Sequence, residues 1–343
     1  MPTQVDPDTY IDVDESPRSS QRVKIRKRDK IQKMLRPVKA TAAAQQMIVQ
    51  NDSQKSFQFT YQAARFEEGW LLHTLGYFYE QNWISDVLRK VKVGKEASVY
   101  LCQGGSAVHE KLVAAKVYRP YKLRSLKNDN LYRLGRDVLD ENGKNITDLG
   151  FLWSHKKRTT YGEEIRQQSW IQHELKALET LRGADADVPQ VFEMDTNGIL
   201  MTYIGDEQLG APILNAVTLE RDEAQSLFER VLRNIEVMLA HAIVHGDLSA
   251  YNILYWQGDI TLIDFPQWVN PVRNPLAFRI FQRDVQRVCD YFASQGVERD
   301  ARQLVEGLWH KYGYKKVPMV HPKDIDDSDA QDLKMWEDHI KDN

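Results

Sequence analysis

The chain has 343 residues, 42% hydrophobic and 28% charged, with a formal net charge of −3, which suits a largely globular protein of about two domain-sized units. That charge argues against a uniformly basic nucleic-acid binder, and two cysteines, Cys102 and Cys289, are too few for a disulfide framework. No apolar run reaches the roughly 18 residues of a membrane span, and the polar N-terminus lacks a secretory h-region. A reducing, cytoplasmic setting with no membrane partner is the expectation.

Residues 1–55 read as a disordered, charged arm. Between Arg22 and Lys39 stand nine Lys or Arg residues against the single Asp29. Such a block (22–39) suits docking on RNA or another polyanion, and equally suits a solvated tail. Residues 56–90 are expected to be a helical support, because Phe66, Trp70, Leu71, Leu75, Phe78 and Tyr79 recur three or four apart, with the helical pattern carried to Lys90. From 91 to 204 the pattern is strand, a turn at Gly94-Lys95-Glu96, strand, then LVAAKVYRP as a strand bearing Lys116. Residues 119–162 are polar and aperiodic, which predicts a flexible insertion. A helix follows from Glu163 to Leu181, with Ile165, Ile171, Leu175 and Leu178 inward and Glu174 among them. The run VPQVFEMDTNGILMTYIG predicts a hairpin turning at Asn197-Gly198 and leading to Tyr203-Ile204-Gly205, placed where a hinge between two lobes would fall.

Residues 205–320 are expected to be helical apart from one short β-rich stretch. Thr218 is placed to cap a helix running to His241, whose inner face is Ala224, Leu227, Phe228, Val231, Leu232, Ile235, Met238 and Leu239. Later helices are expected with Phe281, Val285, Val288 and Phe292 inward and Gly296 as a stop, then from about Arg299 to Tyr312. Residues 321–343 form an acidic tail.

The chemistry concentrates between Ile243 and Phe265. His245-Gly246-Asp247 is followed by Asn252, five residues after the aspartate, and Ile263-Asp264-Phe265 lies seventeen residues after it. Phosphoryl transfer needs one oxygen to orient an attacking hydroxyl and others to hold Mg²⁺ on the phosphates. The pattern H-x-D-x-x-x-x-N followed by I-D-F supplies those groups in that order. Lys116 and Glu174, upstream, have the residue types and the order needed for a phosphate-holding ion pair. Only nineteen residues separate Asp264 from Asp284 and no A-P-E occurs, too little chain for an activation segment and a peptide platform. Gly246 replaces the arginine that can receive an activation-loop phosphate, so regulation of that kind is not expected.

The segments GKEASVY, AAKVY, MTYIGDEQLGAP, VHGDLSAYNIL and LIDFPQ together resemble the RIO family of atypical protein kinases over roughly residues 83–297. The resemblance implies an α+β, two-lobed, trimmed protein-kinase-like fold: a β-rich first lobe, a helical second lobe, and no activation segment or peptide-binding subdomain. It implies Lys116 on the phosphates, Glu174 orienting it, Asp247 as catalytic acid or base, and Asn252 and Asp264 as metal ligands. The nucleotide site it implies takes Gly94, Lys95, Ser98 and Val99 from the turn, with Ser98 near the phosphates. Ala114 and Lys116 come from the next strand, Met201, Tyr203 and Ile204 from the hinge, and Leu254 and Ile263 from the catalytic stretch. The implied cofactors are ATP and Mg²⁺, with Mn²⁺ as an alternative. The implied activity is a Ser/Thr kinase or ATPase acting on itself or on a large partner such as a ribosomal precursor. Two rival functions share these motifs: a small-molecule phosphotransferase of the aminoglycoside or choline kinase type, and an ATP-binding scaffold with little turnover.

Overall fold

A computed structural model describes residues 57–94, 96–119, 132, 134–140, 143–146 and 160–316. The basic arm at 22–39, Lys95, most of the insertion at 119–162 and the acidic tail lie outside these residues. All described residues belong to the second of two compact units, Asp52–Asn343.

Helix α1 (Arg65–Glu80) opens the unit, followed by strands β1 (Ile84–Val93), β2 (Ala97–Gly104) and β3 (Leu112–Tyr118). The helical pattern expected to run on to Lys90 stops ten residues early. Asn82 adopts a left-handed φ of 58°, the Asn82 N–H donates to the Tyr79 carbonyl, and the Trp83 N–H donates to the Phe78 carbonyl. That pair of bonds is the Schellman arrangement, which Asn tolerates better than most residues. Beyond it the chain is a strand, with Ile84 and Val87 buried.

Helix α2 (Thr160–Gly183) precedes strands β4 (Val191–Asp195) and β5 (Gly198–Thr202), and the five strands form one antiparallel sheet in the order β1-β2-β3-β5-β4. Alternation along each strand gives the sheet two apolar faces. On one, Tyr100, Cys102, Val113, Ala115 and Val117 meet Leu71, Leu75 and Phe78 of α1. On the other, Leu101, Ala114, Tyr118, Ile199 and Met201 meet Trp170 and Ile171 of α2. The β4–β5 turn falls on Thr196 and Asn197, since Asp195 pairs with Gly198. Gly198, expected in the turn, is instead the first residue of β5. A Cβ there would come within 3.1 Å of the Thr74 Cγ2 and 3.2 Å of the Phe78 ring. Its small size lets α1 approach the sheet.

The helical part comprises α3 (Arg221–Ala240), α4 (Ala277–Ser294) and α5 (Ala301–Lys311), with a small sheet of β6 (Ile253–Trp256) and β7 (Asp259–Leu262). The inner face expected for α3 packs in this core, which includes a T-shaped Phe228–Phe292 pair. Thr218 does not cap α3: the cap position is Glu220, with no side-chain bond. Gly296 ends α4 as expected, with φ 83° and the Val297 N–H on the Phe292 carbonyl. Among the described residues no helix is long and apolar enough to cross a membrane.

Candidate active site

Lys116 sits in mid-β3, paired with Val99 on β2 and Ile199 on β5, and alternation turns its side chain to the α2 face with Ala114 and Tyr118. Its Nζ lies 2.5 Å from Glu174 Oε1 and 2.8 Å from Asp264 Oδ1. The Tyr118 hydroxyl donates to the other Glu174 oxygen at 2.5 Å. Glu174 is 1% exposed, so both its oxygens need partners, and here both have them. It lies on the buried row of α2 with Ile171, Ala177 and Leu178, whereas Leu175, expected inward, is only half-buried.

Burial alone would pull the Lys116 ammonium down, but Asp264 and Glu174 outweigh it and hold the group above its ordinary value. Burial would likewise raise the Asp264 carboxyl, yet the Lys116 charge and hydrogen bond keep it below the usual carboxylate range. This triad joins the five-stranded sheet to the chain that follows β7.

The loop from His245 to Asn252 is shaped by a glycine. Gly246 has φ 88°, and a Cβ on it would lie 2.2 Å from the Gln267 carbonyl oxygen. Position 246 therefore does more than lack an arginine: its backbone excludes one. The Gly246 N–H donates to Asp284 Oδ2 at 2.9 Å, and Arg283 donates to the Gly246 carbonyl and, at 3.0 Å, to Asp284 Oδ1. Burial pushes the Asp284 carboxyl up, against the opposing pull of Arg283. The next residue, Asp247, presents Oδ1 to Arg287 at 2.8 Å and Oδ2 to the Asn252 amide nitrogen at 3.2 Å. That amide also donates to the Asp247 carbonyl at 2.8 Å. His245 joins the loop to the strand end: its Nε2–H donates to the Ile263 carbonyl at 3.2 Å, and its Nδ1 accepts from the Asp247 N–H at 3.3 Å.

Asp264 has a left-handed φ of 71°. The chain after it is tied down on two sides. Arg136 donates to the carbonyls of Pro266 and Trp268 at 2.9 and 2.8 Å, and the Trp268 indole donates to the His173 carbonyl on α2 at 2.8 Å. Burial, reinforced by the nearby Arg136 charge, pushes the His173 imidazole down to about 3. It is therefore a neutral packing group.

The structure thus brings Lys116, Glu174 and Asp264 into direct contact and joins Asp247 to Asn252. Ala114, Met201 and Tyr203 share one apolar cluster with partly buried Val99 beside them. The Tyr203 hydroxyl accepts from Arg89 at 2.8 Å. Ile204, Leu254 and Ile263 are half-buried, and Gly94 closes the β1–β2 turn with its N–H on the Ala97 carbonyl. Ser98 falls in register with Tyr100 and Cys102 on the α1 face of the sheet, the face opposite Val99 and Lys116. The contacts of two groups are not legible in the sequence: Asp284, which there only bounds the short span after Asp264, and Arg287. The signal for Asp284 was an acid on the apolar face formed by Phe281, Val285 and Val288; Arg287 left none, because only tertiary packing pairs it.

The donor set fits a hard divalent cation. Asn252 spends its amide nitrogen on Asp247, which leaves its Oδ1, and Asp264 spends Oδ1 on Lys116, which leaves Oδ2. Two oxygens suit Mg²⁺, which completes its shell with water and phosphate oxygens.

Comparison with known proteins adds a lineage to this geometry. The family model described as the RIO domain matches residues 111–304. A relative from Haloferax volcanii, "RIO-type serine/threonine-protein kinase Rio1", is 30% identical over 216 residues, covering 63% of this chain and 66% of that protein. "Serine/threonine-protein kinase RIO3" of Mus musculus is 27% identical over 224 residues, 64% of this chain and 41% of the relative. The chain thus matches less than two thirds of the length of either. Among solved structures, the Rio2 kinase-ADP/Mg²⁺-phosphoaspartate complex from Chaetomium thermophilum aligns with a TM-score of 0.51 at 18% identity, covering 82% of this chain and 79% of that one. That is a likeness of fold.

Proposed function

The chain belongs to the RIO family, and from that premise we propose that it transfers the γ-phosphoryl group of ATP, with Mg²⁺, to a serine or threonine hydroxyl or to water. The observation that carries this reading is Lys116 held within 2.8 Å of both Glu174 and Asp264. Lys116 would hold the nucleotide phosphates, with Glu174 and Tyr118 bracing it. Asn252 Oδ1 and Asp264 Oδ2 would hold the cation, which when bound neutralises charge on the phosphate oxygens. Asp247 would orient the attacking hydroxyl and accept its proton. In a standard assay with γ-labelled ATP, label should pass to the protein itself or to inorganic phosphate, and EDTA should stop it. Absence of Mg²⁺-dependent turnover, or transfer to choline or an aminoglycoside in place of protein and water, would overturn the proposal.

The short span from Asp264 to Asp284 supports an acceptor that is the chain itself or a residue on a large docked partner. We place a ribosomal precursor in that role in the cytoplasm, with the basic arm at 22–39 as its contact. Deleting residues 1–55 should weaken association with RNA or ribosomal particles more at low salt than at high salt, while nucleotide binding persists. Filter-binding across a salt series measures this, and an unchanged salt slope would remove the arm from the account.

A further inference from the structure

A second lysine shares the sheet face of Lys116. Lys92 on β1 pairs with Val99 on β2, and Val99 pairs with Lys116 on β3. Residues directly opposite each other in an antiparallel ladder point to the same side, so Lys92, Val99 and Lys116 form one row. A fault in the ladder sets this row. The β1–β2 register shifts between Lys90 and Lys92, and Lys90 pairs with Tyr100. Strict alternation would put Lys90 and Lys92 on one side of the sheet. The shift sends them to opposite sides. Lys90 turns to α1, where its Nζ lies 2.7 Å from Glu67, and Lys92 turns to the face of Lys116. Bulge-like shifts re-aim side chains in this way, and they gather next to active sites.

The two lysines differ in what surrounds them. Lys116 is buried and bridges two carboxylates, Glu174 and Asp264, so the triad carries more negative than positive charge. Lys92 is exposed and makes no hydrogen bond or ion pair among the described residues. Its charge nevertheless reaches the site. Burial raises the Asp264 carboxyl, Lys116 opposes that most strongly, and Lys92 adds to the opposing pull. A polyphosphate approaching Lys116 meets the surplus negative charge of the triad, and Lys92 is an unspent cation on the same face. The roots of Lys92 and Lys116 lie two strand spacings apart, roughly 10 Å. Each ammonium rides on a flexible four-carbon stem, so both can converge on a chain of phosphates lying across Val99.

We infer that Lys92 is a second phosphate-binding lysine, which holds the phosphate chain of the nucleotide from the β1 side. It thereby sets the preference of the site for nucleoside di- and triphosphates over nucleosides. This inference rests on the phosphotransfer reading and adds a specificity-determining residue to the same site. Because Lys92 stays exposed, its share of the affinity is screened by salt, whereas the buried Lys116 is screened much less.

The test uses the full chain and measures the binding of Mg²⁺-ATP, Mg²⁺-ADP and adenosine by calorimetry. Lys92→Gln should weaken both nucleotides roughly three- to tenfold, raise the KM for ATP to match, and leave adenosine binding as in the parent. Lys92→Arg keeps the charge and should recover most of the lost affinity. Added salt should narrow the gap between the parent and Lys92→Gln, because the lost contact is between exposed charges. Unchanged ATP affinity in Lys92→Gln overturns the inference. So does an equal loss for adenosine and ATP, which marks a change in packing, or a Lys92→Arg protein as weak as Lys92→Gln. Each of those results leaves the nucleotide site standing, because the parent still binds and turns over Mg²⁺-ATP. A parent chain that neither binds nor turns over Mg²⁺-ATP overturns the reading beneath it and the inference with it.

Discussion

Asp264→Ala is expected to lower Mg²⁺-dependent ATP turnover by about 10²–10³-fold while the protein stays folded. Two losses combine. On the proposed reading the substitution would remove one of the two oxygens that hold the cation, and it removes one of the two carboxylates that hold Lys116. Burial then pulls the Lys116 ammonium down with only Glu174 opposing it. The fold should survive because the Asp264 side chain is 42% exposed, so its loss opens no cavity, and Lys116 keeps its bond to Glu174. Asp247→Ala should lower turnover by a similar or larger factor, about 10²–10⁴, through loss of the proton acceptor. Turnover measured beside near-UV circular dichroism and a thermal melt checks both variants. Parental turnover in either folded variant would remove these residues from the mechanism.

Gly246→Arg, which would rebuild the arginine of the H-R-D sequence, is expected to destabilise the protein by about 3 kcal/mol and to disable the site. The left-handed φ of 88° costs any residue with a Cβ about 1–2 kcal/mol. The added Cβ would also lie 2.2 Å from the Gln267 carbonyl oxygen, so the backbone of one loop must move, at a cost of about 1–3 kcal/mol. Moving it disturbs the Gly246–Asp284 hydrogen bond and the chain that carries Asp247. Gly246→Ala separates these effects, because it carries the Cβ without the guanidinium and should show most of the loss. Urea unfolding midpoints read both variants. A Gly246→Arg protein as stable as the parent would mean that the glycine is dispensable and that the missing arginine is a matter of regulation alone.

Much of this arrangement was legible in the residues because it is local. Asp247 and Asn252 lie five apart in one loop, and the hydrogen bond between them follows from that spacing. The periodicity of α3 and the glycine stop of α4 are short-range patterns and were readable for the same reason. The differences turn on a backbone state, a packing contact and a strand register, none of which composition announces. Asn82 looks like any polar helix residue until its left-handed φ ends α1. Gly198 looks like a turn residue until Phe78 is seen packed against it. Ser98 belongs to the right motif, and only the β2–β3 register shows which sheet face it takes.

The order of chemical groups, Lys116, Glu174, Asp247, Asn252 and Asp264, is written in the residues alone. That order does not decide which of them touch. Lys116 and Asp264 are 148 positions apart, and Asp247 and Arg287 are 40 apart. Contacts at such separations depend on how the sheet, α2 and α4 pack, since no helical or strand period spans them. It is this packing that makes one lysine bridge two carboxylates, sets Asp284 on the Gly246 N–H, and pairs Arg287 with Asp247.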